Sequence, residues 1–277
     1  RQTSSMGNQP PSAGGVRVTG DDFEILQLIG KGAFGKVWQV RKKDTGKVYA
    51  LKVLHKEDVV QENLVTHTRG ERDILLSVDN PFVVNLNFAF QTDDKLCFVL
   101  DYVGGGSLYE LLQAAERGYL AEEEVRFFAV EVLLGLEALH ARNIIYRDMK
   151  LENVLVAADG HAVLTDFGLS KQLKKRQSRV RSFSGTAVYL APEMLLDDSG
   201  HGKSVDWWGY GVLLHMLFTG GPPFWSENHK ELFDMIATQD FDTDDEVVPP
   251  AGRDLLRRLL TRDPAARLGC GPAGSAA

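Results

Sequence analysis

Lys52 lies in the apolar run Val48 to Leu54, where the two-residue period of a strand puts it on one face with Ala50 and Leu54. A buried ammonium without a partner does not keep its charge, so the position asks for a carboxylate. Glu71 has the complementary fault, because helical spacing sets it on the stripe of Leu64, Thr68, Leu75 and Val78. Packing strand against helix answers both; two solvated charges at element edges is the alternative. Upstream, Gly30-Lys31-Gly32-Ala33-Phe34-Gly35-Lys36-Val37 gathers glycines that let backbone N–H groups approach phosphate oxygens. Alone the motif is weak, since dinucleotide folds use it and a plain turn would suffice. A dinucleotide loop runs from strand to helix, however, whereas Val37 to Val40 reads as a second strand. A glycine-rich hairpin over nucleotide phosphates follows. In the second half, Tyr146-Arg147-Asp148-Met149-Lys150-Leu151-Glu152-Asn153 sets polar residues between Ile144-Ile145 and Val154-Leu155-Val156, a pattern that is sometimes turn filler. Asp166, in Val163-Leu164-Thr165-Asp166-Phe167-Gly168, ends a strand where it can reach a cation beside Asn153. Two oxygen ligands plus nucleotide phosphates suit Mg²⁺, which rarely has an all-protein cage.

Positioning these groups takes two kinds of scaffold. From Phe23 to Val103 the pattern is mostly strands, broken by turns at Asp44-Thr45-Gly46 and Thr92 to Lys95 and by the one helix that carries Glu71. After Gly104-Gly105-Gly106 the texture is helical. Ser107 and Glu110 form a capping box, Val125, Phe128, Ala129, Val132, Leu136 and Leu139 make an apolar stripe, and Val205 to Phe218 is apolar nearly all round, hence buried. The expected fold class is therefore α+β and bilobal, with a cleft between the lobes. The divisions are a flexible lead-in at 1–20, rich in Ser, Gly, Gln and Pro, a small lobe at 21–103 and a large lobe at 104–277.

The net charge of −7 provides no global positive field for nucleic acid or an anionic membrane. The basic run Lys174-Lys175-Arg176 to Arg181 is the one feature for a nucleic-acid binder, and a solvated loop explains it more simply. No apolar run is long enough to span a bilayer, no signal-peptide pattern opens the chain, and Cys97 and Cys270 lack metal-ligand spacing. The expectation is a monomeric protein of a reducing interior, in the cytoplasm with the nucleus as a second compartment.

Taken together, the motifs resemble protein kinases, in order and spacing from Phe23 to Gly269. The resemblance implies transfer of the γ-phosphate of ATP, with Mg²⁺, to serine or threonine hydroxyls of protein substrates. It implies that Gly30, Gly32 and Gly35, with Lys31, Ala33, Phe34 and Lys36, form the phosphate lid. Lys52 holds the α- and β-phosphates with Glu71 as its ion-pair partner. Asp148 orients the acceptor hydroxyl, Lys150 contacts the γ-phosphate as in serine/threonine kinases, and Asn153 and Asp166 are the metal ligands. Adenine is expected between Ile29, Val37 and Ala50 on one side and Leu155 on the other, bonded to backbone at Asp101 and Val103. Glu193 of Ala191-Pro192-Glu193 is expected to pair with Arg267, and Asp206 to brace the loop of Asp148.

Tyr146-Arg147-Asp148, His67-Thr68, Asp206-Trp207-Trp208 and Arg267-Leu268-Gly269 are similar to the AGC group, in the flavour of the mitogen- and stress-activated and ribosomal-protein kinases. On that resemblance Ser182 is an activation-loop phosphosite for an upstream kinase, served by Arg147, Lys171 and His67. The group selects arginine ahead of the acceptor through acidic residues, and here Glu152 is acidic while Ser107 and Met216 stand at the other positions. Val188 stands where the group usually has glutamate, and the chain stops just past Gly269, before the last helix and tail of the group. A pseudokinase scaffold that binds ATP is the alternative function, against which stand Lys52, Glu71, Asp148, Asn153 and Asp166, all present.

Overall fold

The computed structural model describes residues 18–32, 35–173, 179, 185–196, 200–241 and 246–270. It divides into two compact units, one built on the chain up to Asp79 with Val84–Val103, the other on Asn80–Val83 with the chain from Gly104 onward.

In the first unit, β1 (Phe23–Gly32), β2 (Gly35–Lys42), β3 (Val48–His55), β4 (Leu86–Gln91) and β5 (Lys95–Asp101) form an antiparallel sheet of order β1-β2-β3-β5-β4. Strand alternation sorts β3. Tyr49 and Leu51 join Phe23, Val40, Cys97 and Val99 in one buried cluster, with Trp38, Val53, Phe88 and Phe90 packed around it. Ala50, Lys52 and Leu54 turn to the other face, opposite Leu100, Phe98 and Leu96 of β5. The aromatic rings of the cluster meet mainly edge to face, as at Phe23 and Tyr49, whose centroids are 6.3 Å apart.

Two elements escape the pattern reading. Helix α1 (Lys56–Gln61) precedes α2 (Val65–Ser77), so two helices interrupt the strands where one was expected. Strand β4 was also missed, because Asn85 and Asn87 look like turn residues. Their amides instead donate to the two Asp101 carboxylate oxygens at 3.0 and 2.9 Å, which accounts for a polar residue inside a strand. The expected lead-in of 1–20 is too long. Val18 packs against the apolar cluster, and Thr19 donates its N–H to Asp22 at 2.7 Å, closing the turn Gly20–Asp22.

The second unit is helical, with α3 (Leu108–Ala114), α4 (Glu122–Ala141), α5 (Pro192–Leu196), α6 (Ser204–Thr219), α7 (His229–Thr238) and α8 (Pro250–Leu259). Ser107 caps α3 as expected, its hydroxyl accepting Glu110 N–H while the Glu110 carboxylate accepts Ser107 N–H at 2.8 Å. Val125, Phe128, Val132, Leu136 and Leu139 of α4 are buried, and α6 is buried on nearly all sides. Gly135 lets α4 press on a small hairpin: a Cβ there would lie 2.8 Å from Leu164 Cδ1 and 3.1 Å from Phe82 O. The hairpin is β7 (Val154–Val156) with β8 (Ala162–Leu164), and β6 (Ile144–Ile145) pairs with β9 (Lys171–Gln172). No helix among the described residues is long and apolar enough to cross a membrane.

Candidate active site

In the first unit, α2 turns Thr68, Glu71, Ile74 and Leu75 inward. Glu71 is 4% exposed and its Oε1 accepts from Lys52 Nζ at 2.5 Å. Lys52 and Glu71 thus solve each other's burial, which excludes solvated edge charges. The β1–β2 ladder runs Gly30 to Val37, Lys31 to Lys36 and Gly32 to Gly35, a hairpin whose tip residues Ala33 and Phe34 lie outside the described residues. Its glycines divide by cause. At Gly35 a Cβ would fall 2.2 Å from Val53 O, so packing against β3 alone demands glycine. At Gly30 and Gly32 the nearest atoms would be 3.4 and 3.8 Å away, so the protein itself leaves room for a side chain. Bare backbone at those two positions is what close approach to a phosphate needs. Val37 stands opposite Lys52 in β3, Ala50 is half-buried two residues away, and Ile29 is exposed at a register irregularity of β1. Asp101 donates its N–H to Asn85 O at 3.1 Å, and Val103 is half-buried.

In the second unit, the loop between β6 and β7 is held from below by α6. Asp206, 1% exposed, accepts Tyr146 N–H on Oδ2 and Arg147 N–H on Oδ1, both at 2.8 Å, and His140 Nε2 on Oδ2 at 2.7 Å. An ionised carboxylate only accepts, so His140 carries its proton on Nε2. Those bonds hold Arg147 at φ 67°, a backbone that residues other than glycine rarely adopt. Arg147 Nε donates to Leu169 O at 2.7 Å, Ser170 Oγ to Tyr146 O at 3.0 Å, and the Tyr146 hydroxyl to Thr165 O. Burial, followed by Asp148, Asp166 and Asp206, pushes the Tyr146 phenol well above its usual range, so it stays a donor.

Asp148, 6% exposed, is fixed from two sides. Asn153 Nδ2 donates to its Oδ2 at 2.7 Å and to its backbone O at 2.9 Å, and Lys150 Nζ lies 3.0 Å from the same Oδ2. Thr165 returns its N–H and hydroxyl to Asn153 O at 2.9 and 3.0 Å, which ties the residue before Asp166 to Asn153. Asp166 is exposed at φ 53°, and its Oδ1 accepts Gly168 N–H at 3.3 Å. With its nitrogen turned to Asp148, Asn153 has its amide oxygen for a cation. Among the described residues no group of three or more His, Cys, Asp and Glu is arranged to hold a metal. One amide and one carboxylate oxygen are a hard, incomplete donor set, which fits Mg²⁺ shared with phosphate rather than a metal caged by protein.

Farther along, Glu193 and Arg267 pair as expected. Arg267 Nη1 and Nη2 donate to the two Glu193 oxygens at 2.7 and 2.8 Å, and Trp208 lies 5.2 Å under the guanidinium. Burial pushes the Glu193 carboxyl up, but the Arg267 hydrogen bonds and charge, with Ser204, bring it below the usual value. Ser182 lies outside the described residues, as do 174–178 and Arg181. Of its expected partners, Arg147 is buried, Lys171 begins β9 and His67 is exposed on α2. Glu152 is exposed in the Leu151–Asn153 turn, Met216 is half-buried in α6, and Leu155 stands opposite Val163 in β7. Sequence reasoning missed His140, although a histidine following Leu139 on the inward face of α4 is the same signal that singled out Glu71. It missed Glu131 too, which is buried in α4 and accepts His161 Nδ1 at 2.5 Å and Ala162 N–H at 2.7 Å, pinning the β7–β8 turn.

Comparison with known proteins shows the family of the chain. The model of the protein kinase domain family matches residues 23–275. A RAC family serine/threonine-protein kinase homolog of Dictyostelium discoideum is 48% identical over 263 residues, covering 95% of this chain and 58% of the relative. The serine/threonine protein kinase ypkA of Aspergillus fumigatus is 48% identical over 250 residues, 90% of this chain and 39% of the relative. Human ribosomal protein S6 kinase alpha-4 is 47% identical over 268 residues, 94% of this chain and 34% of the relative. The chain therefore spans between 34% and 58% of the length of these relatives. It belongs to the protein kinase domain family, within the AGC group of serine/threonine kinases.

Proposed function

We propose that the chain is an ATP-dependent serine/threonine protein kinase. The observation that carries this reading is the Asp148 carboxylate, buried, oriented by Asn153 and accompanied by the Lys150 ammonium at 3.0 Å. A carboxylate held so can align an acceptor hydroxyl and take its proton as the oxygen attacks the γ-phosphorus and ADP leaves. Lys150 supplies positive charge beside the migrating phosphoryl group, and Lys52, kept extended by Glu71, supplies it to the α- and β-phosphates. The bare backbone of Gly30 and Gly32 covers phosphate oxygens, and Ile29, Val37 and Ala50 provide apolar contact for adenine. Asn153 and Asp166 would hold Mg²⁺, which when bound neutralises charge on the phosphate oxygens. The test is transfer of labelled γ-phosphate to serine and threonine peptides with ATP and Mg²⁺. Transfer that Asp148→Asn abolishes supports the reading; ATP binding without transfer overturns it in favour of a scaffold.

Substrate choice departs from the group. Of the arginine-reading positions only Glu152 bears a charge, Ser107 is occupied in capping α3, and Glu110 one turn on is tied to Ser107 N–H. Each missing charge-assisted contact removes roughly 1.5–3 kcal/mol of preference for arginine. A positional-scanning peptide library is expected to show one basic preference, through Glu152, with an apolar residue tolerated toward Met216. Strong arginine selection at two positions would refute this.

Ser182 is the proposed activation site, phosphorylated in trans by an upstream kinase. A phosphoserine brings nearly two negative charges for Arg147 and Lys171 to meet. Ser182→Ala is expected to lose the stimulation that an upstream kinase gives; equal stimulation of both proteins refutes the assignment.

A further inference from the structure

The peptide that joins Lys150 to Leu151 is gripped at both ends. Its carbonyl, on Lys150, accepts Asn153 N–H at 3.1 Å, and its N–H, on Leu151, donates to the Tyr189 hydroxyl at 3.2 Å. The first bond lies within the β6–β7 loop. The second comes from 38 residues along the chain, from the turn Ala187–Tyr189 that leads into Ala191-Pro192-Glu193. Leu151 is fully buried and Tyr189 is 8% exposed, so water has little access to the N–H in place of that hydroxyl. Burial pushes the Tyr189 phenol up, the Leu151 N–H opposes this, and Glu152 and Asp148 add to it, so the ring faces the loop as a neutral hydroxyl. Helix α6 backs both segments at one glycine. A Cβ on Gly209 would lie 3.0 Å from Met149 Cβ and 4.0 Å from Tyr189 O.

We propose that Tyr189 is a positioning residue for phosphoryl transfer, its hydroxyl fixing the Lys150–Leu151 peptide and, through it, the two groups that converge on Asp148. The inference rests on the kinase reading of Asp148. Both groups hang on this peptide. Lys150 carries the ammonium 3.0 Å from Asp148 Oδ2, and Asn153, whose N–H is bonded to the Lys150 carbonyl, donates its amide to the same oxygen at 2.7 Å. Without the hydroxyl, the Leu151 N–H is buried and unpaired. The loop relieves that only by turning the peptide toward another acceptor, and Lys150 and Asn153 turn with it. Transfer depends on alignment to within about 1 Å, so a small turn is felt in the rate. Position 151 offers a second way to remove the bond. Lys150, at φ −163° and ψ 159°, is extended as a residue before proline has to be, and proline suits the opening position of a helical turn.

The experiment measures kcat, KM for ATP and KM for peptide in the parent, Tyr189→Phe, Leu151→Pro and the double variant, at a temperature where each is folded. Tyr189→Phe is expected to lower kcat by roughly fivefold to tenfold, with both KM values within about twofold of the parent. A tyrosine that only supports the fold would lower the melting temperature and leave kcat of the folded enzyme alone. Leu151→Pro has no N–H to strand, so adding Tyr189→Phe to it should change kcat by less than about twofold. Parental kcat in Tyr189→Phe, or a rise in KM with kcat unchanged, overturns the proposal. An undiminished loss on adding Tyr189→Phe to Leu151→Pro overturns it as well. Should Leu151→Pro not fold, kcat of Tyr189→Phe decides alone. A parent that transfers no phosphate to any peptide instead overturns the kinase reading.

Discussion

Lys52→Met is expected to leave a folded protein whose phosphoryl transfer is slower by on the order of 10³-fold. Methionine has nearly the length of the lysine stem and suits a strand face shared with Ala50 and Leu54, so β3 keeps its register between β2 and β5. The variant removes the ammonium that Glu71 holds at 2.5 Å, and with it the alignment of the α- and β-phosphates. It also strands the Glu71 carboxylate, 4% exposed, at a loss of a few kcal/mol at most, because the lysine end of the pair is partly open to water. Stability and rate can then be separated. Adding Glu71→Gln to Lys52→Met should restore much of the melting temperature and none of the rate. Near-parental phosphorylation by a cooperatively melting Lys52→Met protein would remove the role assigned to Lys52.

The same pair explains why so much of the site was legible in sequence. Lys52 and Glu71 are charges on apolar surfaces, and an apolar pattern dictates both their burial and their need for partners, whereas the bracing role of Asp206 was read from the family resemblance. Short-range spacing carried the capping box at Ser107 and Glu110 and the buried helix α6 for a similar reason, since each is decided within one element. What failed were features whose cause lies elsewhere in the chain. Asn87 reads as a turn residue until the Asp101 carboxylate, many residues later, is known to accept its amide. The positive φ of Arg147 is invisible locally, because the bond that holds it comes from Asp206 in α6. Gly35 and Gly30 look equivalent in the motif, yet only the structure separates a glycine required by β3 from one that leaves room for a ligand.

Arg267→Ala is the substitution expected to cost most in stability. Arg267 is 1% exposed and all five of its N–H groups have acceptors: Nε on Thr261 O, Nη1 on Glu193 Oε1 and Ser204 O, Nη2 on Glu193 Oε2 and Arg262 O. Alanine would leave the buried Glu193 carboxylate with the Ser204 hydroxyl but no cation, take the guanidinium donors from Thr261 O and Arg262 O, and remove the guanidinium from Trp208. Breaking a buried pair in this way costs about 3–5 kcal/mol. At about 2–4 °C per kcal/mol for a unit of this size, melting should fall by roughly 6–20 °C. Arg267→Lys should recover little, since one ammonium with three donors cannot span acceptors that surround a planar fork. Replacing both partners, Arg267→Met with Glu193→Leu, should recover more than the lysine does, because no charge is left buried. Acid supplies the internal control. The Glu193 carboxyl sits below its unfolded value of 4.5, so its contribution is complete above about pH 4.5 and is lost as pH falls through the folded value. The gap in melting temperature between parent and Arg267→Ala should narrow over that acid range; a gap that stays constant, or a variant melting within about 2 °C of the parent at neutral pH, would show that the pair does not hold this unit together.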